Sequence, residues 1–225
     1  MRPFIIAIDG PSGAGKGTVA RAVARALGLR HVDTGAMYRA VAWMALQSQI
    51  PLDDERAVAA MAAHSTFQIG PRVAIDRHDV TQAIRTPAID AASAQVARLP
   101  AVREVLVARQ REMSGGGGLV MEGRDIGTVV FPDADVKVYL DASPDERARR
   151  RAHDPAHAGA TGGVADVASA LDERDRSDRT RAASPLATAA DALVIDTTGV
   201  PVEEVVARVL ALARARQAAR GREPG

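Results

Sequence analysis

The chain contains no cysteine. That excludes disulfides, thiolate metal sites and cysteine nucleophiles. It also carries almost no net charge: 29 Lys and Arg stand against 28 Asp and Glu, a formal +1. No global field draws nucleic acid or an anionic membrane, so any basic site has to be local. Long apolar runs are missing too. The first run, Phe4-Ile5-Ile6-Ala7-Ile8, stops at Asp9. It falls short of the ~7–15 residues of a signal-peptide core and of the ~18 that span a membrane. His31, His64, His78, His153 and His157 show no metal-ligand spacing. No Ser-His nucleophile arrangement and no internal repeat is visible. The expectation from these absences is a cytoplasmic protein, monomeric by default, with neither nucleic acid nor membrane as partner.

What is present begins with composition. Hydrophobic residues make up 47% of 225, enough for one α/β domain with insertions. The first apolar run reads as a buried parallel strand. Asp9-Gly10-Pro11-Ser12-Gly13-Ala14-Gly15-Lys16-Gly17-Thr18 follows it. Beyond lie Val19, Ala22, Val23, Ala26 and Leu27 on one face of a helix, with Gly28 at the C-cap position. A glycine-rich loop between strand and helix is the setting of a phosphate-binding loop. Its backbone N–H groups curl around phosphate oxygens, and the helix N-terminus adds partial positive charge. Gly10, Pro11, Ser12, Gly13, Ala14, Gly15, Lys16, Gly17 and Thr18 therefore form a candidate phosphate-binding loop, with Lys16 reaching the β- and γ-phosphates; that the phosphates are those of ATP is implied by the resemblance given below. Gly17 stands where the general motif has Ser or Thr, which counts against a direct hydroxyl contact to Mg²⁺.

Residues 4–8, 29–33, 119–122, 136–141 and 193–196 read as five strands separated mostly by helical patterns, a βαβ alternation. Asp9, Asp33, Glu122 and Asp141 sit at or just after strand ends, where ligands collect in open α/β sheets. They also suit strand stops and caps, and Asp141 is read that way because Ser143-Pro144-Asp145-Glu146 opens a helix. Residues 66–84 break the rhythm as short alternating strands, continued by helical segments at 87–98 and 100–113. Gly115 to Gly118 mark a flexible return to the sheet. Arg147, Arg149, Arg150 and Arg151 lie on a helix at 144–152. His153-Asp154-Pro155 and Gly159, Gly162 and Gly163 form a loose stretch before the charged run 172–181. Two basic helices with a glycine-rich link suit a lid over phosphates, or a solvated hairpin with i,i+4 ion pairs. A helix at about 201–217 ends in a basic tail read as frayed and functionally silent.

Three further blocks carry a resemblance. They are Asp33-Thr34-Gly35-Ala36-Met37-Tyr38-Arg39, the block running from Gly123-Arg124-Asp125-Ile126-Gly127 to Pro132, and Glu173-Arg174-Asp175-Arg176-Ser177-Asp178-Arg179-Thr180-Arg181. With the phosphate loop, over about residues 4–212, the chain resembles the bacterial cytidylate kinases of the nucleoside monophosphate kinase superfamily. The resemblance implies a P-loop NTPase fold, a three-layer α/β/α arrangement around a five-stranded parallel sheet. Its implied parts are a core at 1–35, a monophosphate-binding insertion at 36–113, core again at 114–143, a lid at 144–170, and core with the C-terminal helix at 171–225. The implied reaction is transfer of a phosphoryl group from ATP to CMP or dCMP with Mg²⁺.

The family's pattern also implies residue roles. Arg39, Arg124 and Arg181 resemble ligands of the monophosphate's phosphate. Arg103 and Asp125 resemble a cytosine-reading pair, Asp178 a sugar-hydroxyl ligand, and Arg174 a lid arginine on the transferring phosphoryl. Lys16, Arg124, Arg174 and Arg181 form the catalytic set; Thr34 and Tyr38 join the substrate-binding set. A family serine at the base falls on Ala94, with Ser93 one position early. Asp125 suits cytosine because a carboxylate accepts from N4; it also suits a pair with Arg124 or a turn cap. Arg174, Asp178 and Arg181, at i, i+4 and i+7, share a helix face, where an intrahelical ion pair is the plain alternative. Mg²⁺ is expected between phosphates, keeping its waters, with Asp9 or Glu122 to hold those waters and no direct protein ligand. Two rivals stay open: another small-molecule P-loop kinase for AMP, UMP or a metabolite, and a nucleotide-binding regulatory switch.

Overall fold

The strand–helix alternation appears in the computed structural model, which describes residues 2–153 and 164–221. From the N-terminus, β1 (Ile5–Asp9) leads through the glycine-rich loop into α1 (Lys16–Leu27), β2 (Arg30–Asp33) and α2 (Thr34–Gln47). Next come α3 (Glu55–His64), β3 (Phe67–Ile69), β4 (Val73–Ile75), β5 (His78–Asp79), α4 (Pro87–Val96) and α5 (Pro100–Glu112). A 3₁₀ turn, Met113–Gly116, returns the chain to β6 (Leu119–Gly123), which is followed by a single π-helical turn, Ile126–Val130. Then follow β7 (Val136–Asp141), α6 (Pro144–Ala152), α7 (Val164–Thr180), β8 (Leu193–Asp196) and α8 (Val202–Arg220).

Five parallel strands form one sheet in the order β2-β6-β1-β7-β8. β1 and β6 are buried on both faces, as helix-covered parallel strands must be. Ile6 and Ile8 pack with Val19 and Val23 of α1 and Val209 of α8. Ile5 and Ala7, pointing the other way, pack with Val107 of α5, Ile126 and Phe131. The result is the expected α/β/α layering. β1 lies at the middle of the sheet, so its C-terminal loop opens at the centre of the carboxyl edge, where such folds bind ligands.

A second core builds on Met37, Val41, Val58, Val96, Val102 and Leu106 from α2 to α5. Beside it, β3, β4 and β5 pair antiparallel over Ile75, Val80 and Ile84, as the alternation at 66–84 required. Local signals also hold. Gly28 adopts φ 64° at the end of α1, and Leu29 N–H donates back to Ala24 O at 2.9 Å. Ser143 Oγ caps α6 by accepting from Glu146 N–H.

One expectation needs correction, and another falls partly outside the described residues. The glycine run returns the chain to β6 as read, its first half closing a 3₁₀ turn, Met113–Gly116, where Arg30 donates to Met113 O. The C-terminal helix does not fray at 217. It continues to Arg220, whose guanidinium lies over the Phe4 ring and donates to Arg2 O at 2.8 Å, tying the end of α8 to the start of the chain. Of the loose stretch between the basic helices, 154–163 lie outside the described residues.

The π-helical turn had no sequence signal of its own. Asp9, the last residue of β1, holds it: Oδ1 accepts Ile126 N–H at 2.8 Å and Oδ2 accepts Gly127 N–H at 2.7 Å. Burial pushes the Asp9 carboxyl up to about 6, although both amide donors pull the other way. Asp9→Ala leaves two buried amides without an acceptor, at about 1–3 kcal/mol each when nothing replaces it. Urea unfolding of that variant is expected to show a loss of about 3 kcal/mol. A loss below about 1 kcal/mol would show that the turn does not depend on this carboxylate.

Candidate active site

The loop after β1 owes its shape to backbone that only glycine adopts freely. Gly10 has φ 145°, and a Cβ there would stand 2.0 Å from Leu140 O of β7. Gly13, at φ 81°, lies against Arg147 of α6, whose Cβ would stand 2.9 Å from a Cβ there. α1 starts without a side-chain cap, so its first N–H groups face an incoming anion. Lys16 is buried and donates through Nζ to Pro11 O at 2.6 Å. Burial, reinforced by the Arg124 charge, pulls its pKa down to about 7.

A cleft of about 680 Å³ opens from this loop. Along it runs an alternating series of charges. Arg124 Nε donates to Asp178 Oδ2 at 2.9 Å, and Arg181 Nη1 donates to Asp178 Oδ1 at 3.3 Å. Arg181 Nη2 also approaches Asp125 Oδ1 at 3.7 Å, and Asp125 Oδ2 accepts from Arg103 Nη2 at 2.5 Å. Arg103 in turn lies 5.3 Å over the ring centre of Tyr38. Arg39 is held by Asp33 at 2.9 Å, while Arg174 lies 3.8 Å from Asp90 and donates to Ser93 Oγ at 3.5 Å. Burial works against the Asp178 charge, but Arg124, Arg174 and Arg181 outweigh it and hold the carboxyl below its usual value. Arg174 is pulled down to about 10, by burial first and Arg124 second. Arg103 Nε, Arg174 Nε and Arg181 Nη2 are buried donors with no hydrogen-bond partner among the described residues.

A family model for cytidylate kinase matches residues 6–215. The chain belongs to the cytidylate kinase family. A cytidylate kinase of Pelotomaculum thermopropionicum is 51% identical over 212 residues, covering 92% of this chain and 94% of that protein. One from Desulfitobacterium hafniense is 51% identical over 211 residues, covering 92% and 91%. The solved structure of a gluconokinase from Sinorhizobium meliloti 1021 superposes with a TM-score of 0.53 at 17% identity, covering 99% of this chain and 98% of that one. That likeness speaks for the P-loop kinase fold alone.

Most residues singled out from the cytidylate kinase pattern meet in this cleft. Ser12 to Thr18, Thr34, Tyr38, Arg39, Arg103, Arg124, Asp125, Arg174, Asp178 and Arg181 all line it. Gly10 and Pro11 do not; they lie behind the loop, where Pro11 O anchors Lys16. Arg181 falls one residue beyond α7, yet its N–H still donates to Ser177 O at 3.1 Å, which keeps it on the face of Arg174 and Asp178. Asp125 neither pairs with Arg124 nor caps the following turn; it belongs to Arg103. The plain alternative for Asp178 is present as well, since it pairs with Arg181 three residues on. Thr34 donates its hydroxyl to Glu122 O at 2.7 Å.

The one-residue question at the end of α4 resolves in favour of Ser93, which is buried and lines the cleft, while Ala94 does not. Of the two carboxylates weighed for Mg²⁺ waters, only Glu122 lines the cleft; both oxygens of Asp9 accept backbone amides. Glu122 accepts from His31 at 2.9 Å. Sequence reasoning missed Thr197, which donates to Ala14 O at 3.3 Å and receives Arg150. Its place just past the end of β8 was the available signal.

Lys16 links this geometry to stability. Below pH 7 the folded and unfolded chains both carry its proton, and the cost of burying the charge is fully present. From about 7 to 10.5 the unfolded chain holds more protons, so stability rises with pH. Without nucleotide, Lys16→Met is expected to be more stable than the parent at pH 6.5, by on the order of a few kcal/mol. By pH 9.5 that advantage shrinks. Urea midpoints at the two pH values check it; an advantage that does not change with pH would contradict the buried cation.

Proposed function

We propose that this chain transfers the γ-phosphoryl group of ATP to the phosphate of CMP or dCMP, giving ADP and the cytidine diphosphate. One observation carries the reading: the charge series from Arg124 through Asp178 and Arg181 to the Arg103–Asp125 pair, in the same cleft as the phosphate loop. Family membership supports the same reaction.

The chemistry needs positioning and charge neutralisation more than proton transfer. A phosphate oxygen of CMP attacks the γ-phosphorus. The bond from that phosphorus to the β–γ bridging oxygen breaks, and its electron pair leaves with ADP. With a second pKa near 6 the acceptor phosphate is already ionised at neutral pH, so no general base is needed. The loop amides and Lys16 hold the donor phosphates. Arg39, Arg124 and Arg181 grip the acceptor phosphate, and Arg174 lies toward the transferring group. The N–H donors of Arg174 (Nε) and Arg181 (Nη2) that lack a hydrogen-bond partner among the described residues suit phosphate oxygens, which accept from arginine forks. Asp178 takes the sugar hydroxyls, with Thr34, Tyr38 and Ser93 completing the acceptor pocket.

Among the described residues no three His, Asp or Glu side chains converge into a metal cage. The donor set fits a hydrated Mg²⁺ carried by the nucleotide, with Glu122 beside Gly17 as the residue that would hold its waters. Bound there, the ion would neutralise phosphate charge. Residues 36–113 are assigned as the acceptor-side insertion and 144–170 as the lid, of which 154–163 lie outside the described residues. No described helix is long and apolar enough to cross a membrane; a cytoplasmic monomer is part of the proposal.

Asp125 gives base choice its physical basis. Cytosine offers it an amino donor; uracil would set a carbonyl against a buried carboxylate and leave polar groups unpaired. A coupled assay with ATP against CMP, dCMP, UMP and AMP is expected to show CMP or dCMP as the best acceptor. AMP as best acceptor, or no acceptor-dependent ADP release, would overturn the reading. Asp125→Asn is expected to shrink the CMP-over-UMP ratio of kcat/KM by about 100-fold while leaving the KM for ATP nearly unchanged. An unaltered ratio would remove Asp125 from base recognition.

A further inference from the structure

Behind the phosphate loop, outside the cleft, a buried ion pair joins three elements. Asp175 of α7 and Arg147 of α6 are 1% and 5% exposed. Arg147 Nη1 donates to Asp175 Oδ2. Both residues also hold Ser12. Asp175 Oδ1 accepts the Ser12 N–H at 3.4 Å, and Arg147 Nη1 donates to Ser12 O at 3.2 Å. Arg147 Nε donates to Ala142 O at 3.1 Å, fixing the guanidinium against the end of β7. Its Cβ and backbone fill the space a side chain at Gly13 would need, 2.9 Å from that missing Cβ.

We propose that Asp175 and Arg147 are positioning residues that hold the phosphate loop in its anion-receiving shape. Neither lines the cleft. The pair is close to neutral as a unit, so it adds little field at the phosphates. Its contribution is geometric. The backbone of Ser12 is gripped through both its N–H and its C=O, and so through the two peptide units that flank it, immediately before the left-handed Gly13. The same carboxylate sits next to Arg174 and three residues before Asp178, both in the cleft. Asp175 therefore sets the donor loop and the rotation of α7 together.

The alternative is a pair that only stabilises the fold, and energetics separates the two. Exchanging a buried ion pair for well-packed apolar groups is often neutral or stabilising, whereas removing one partner is costly. A purely structural pair can therefore be replaced by Asp175→Leu with Arg147→Met at no loss of activity. A positioning pair cannot, because the apolar groups no longer grip Ser12.

The experiment compares the parent chain, Asp175→Asn and the double variant Asp175→Leu/Arg147→Met. It reads urea midpoints, the KM values for ATP and CMP, kcat, and ADP affinity titrated without acceptor. The expected double variant unfolds near the parent midpoint, binds ADP about tenfold or more weakly, and has a lower kcat. Its KM for CMP stays within about twofold of the parent. Asp175→Asn shifts ADP affinity in the same direction, and it decides the matter alone if the double variant does not fold. Parent-like ADP affinity in the variant that folds, or equal losses for ATP and CMP, overturns the proposal. The inference rests on the proposed function only for the donor nucleotide. ADP titration without acceptor tests it even where CMP proves not to be the acceptor.

Discussion

Burying arginine charge is the constraint around which this molecule is arranged. On the proposed function two phosphate groups are brought together against their own repulsion, and that takes several cations in one cleft. A buried guanidinium without a partner is far too costly to hold. Each is therefore tethered to a carboxylate that also aims it. Asp178 serves Arg124 and Arg181, Asp125 serves Arg103 and lies near Arg181, and Asp33 serves Arg39. Groups fixed in advance do not have to reorganise when charge shifts in the transition state, which is where electrostatic catalysis gains most.

The parallel sheet delivers these groups to one edge. Its register sets Asp9 beside Gly123 and Asp33 beside Glu122. Three strand ends therefore finish level, and the loops that follow them emerge together. The π-helical turn after β6 lets Arg124 and Asp125 project into the cleft in succession, and it is held from β1 by Asp9. A turn of this type is a common device at functional sites. Here its cause is a specific pair of long-range hydrogen bonds.

Binding competence and stability pull against each other at Lys16. A lysine buried among Arg124, Glu122, Asp9 and Asp178 is poorly solvated, and under the proposed function the donor phosphate is the charge that would compensate it. Such stored cost is usual where a site must favour a charged ligand. The glycines of the loop belong to the same economy of shape: they place amides toward the ligand in backbone that other residues rarely adopt.

What the linear order of residues determined by itself was local. Apolar periodicity set the five sheet strands to within a residue, while α3 had no reading of its own and α7 begins eight residues before the charged run; Gly28 ended α1, Ser143 began α6, and the short alternation at 66–84 became an antiparallel sheet. Nearly all the site residues named from the motifs and the family resemblance line the cleft, Gly10 and Pro11 excepted. Only the tertiary structure decided that Ser93 rather than Ala94 faces inward, that Asp9 serves a turn 117 residues away, and that Asp175 reaches Ser12 across 163 residues. It also showed α8 tied to the N-terminus by Arg220 instead of fraying. The reason is physical. Periodicity and caps arise from neighbours along the chain, whereas a carboxylate that bonds a distant amide leaves no local pattern, and its partner is known only when the strands take their register.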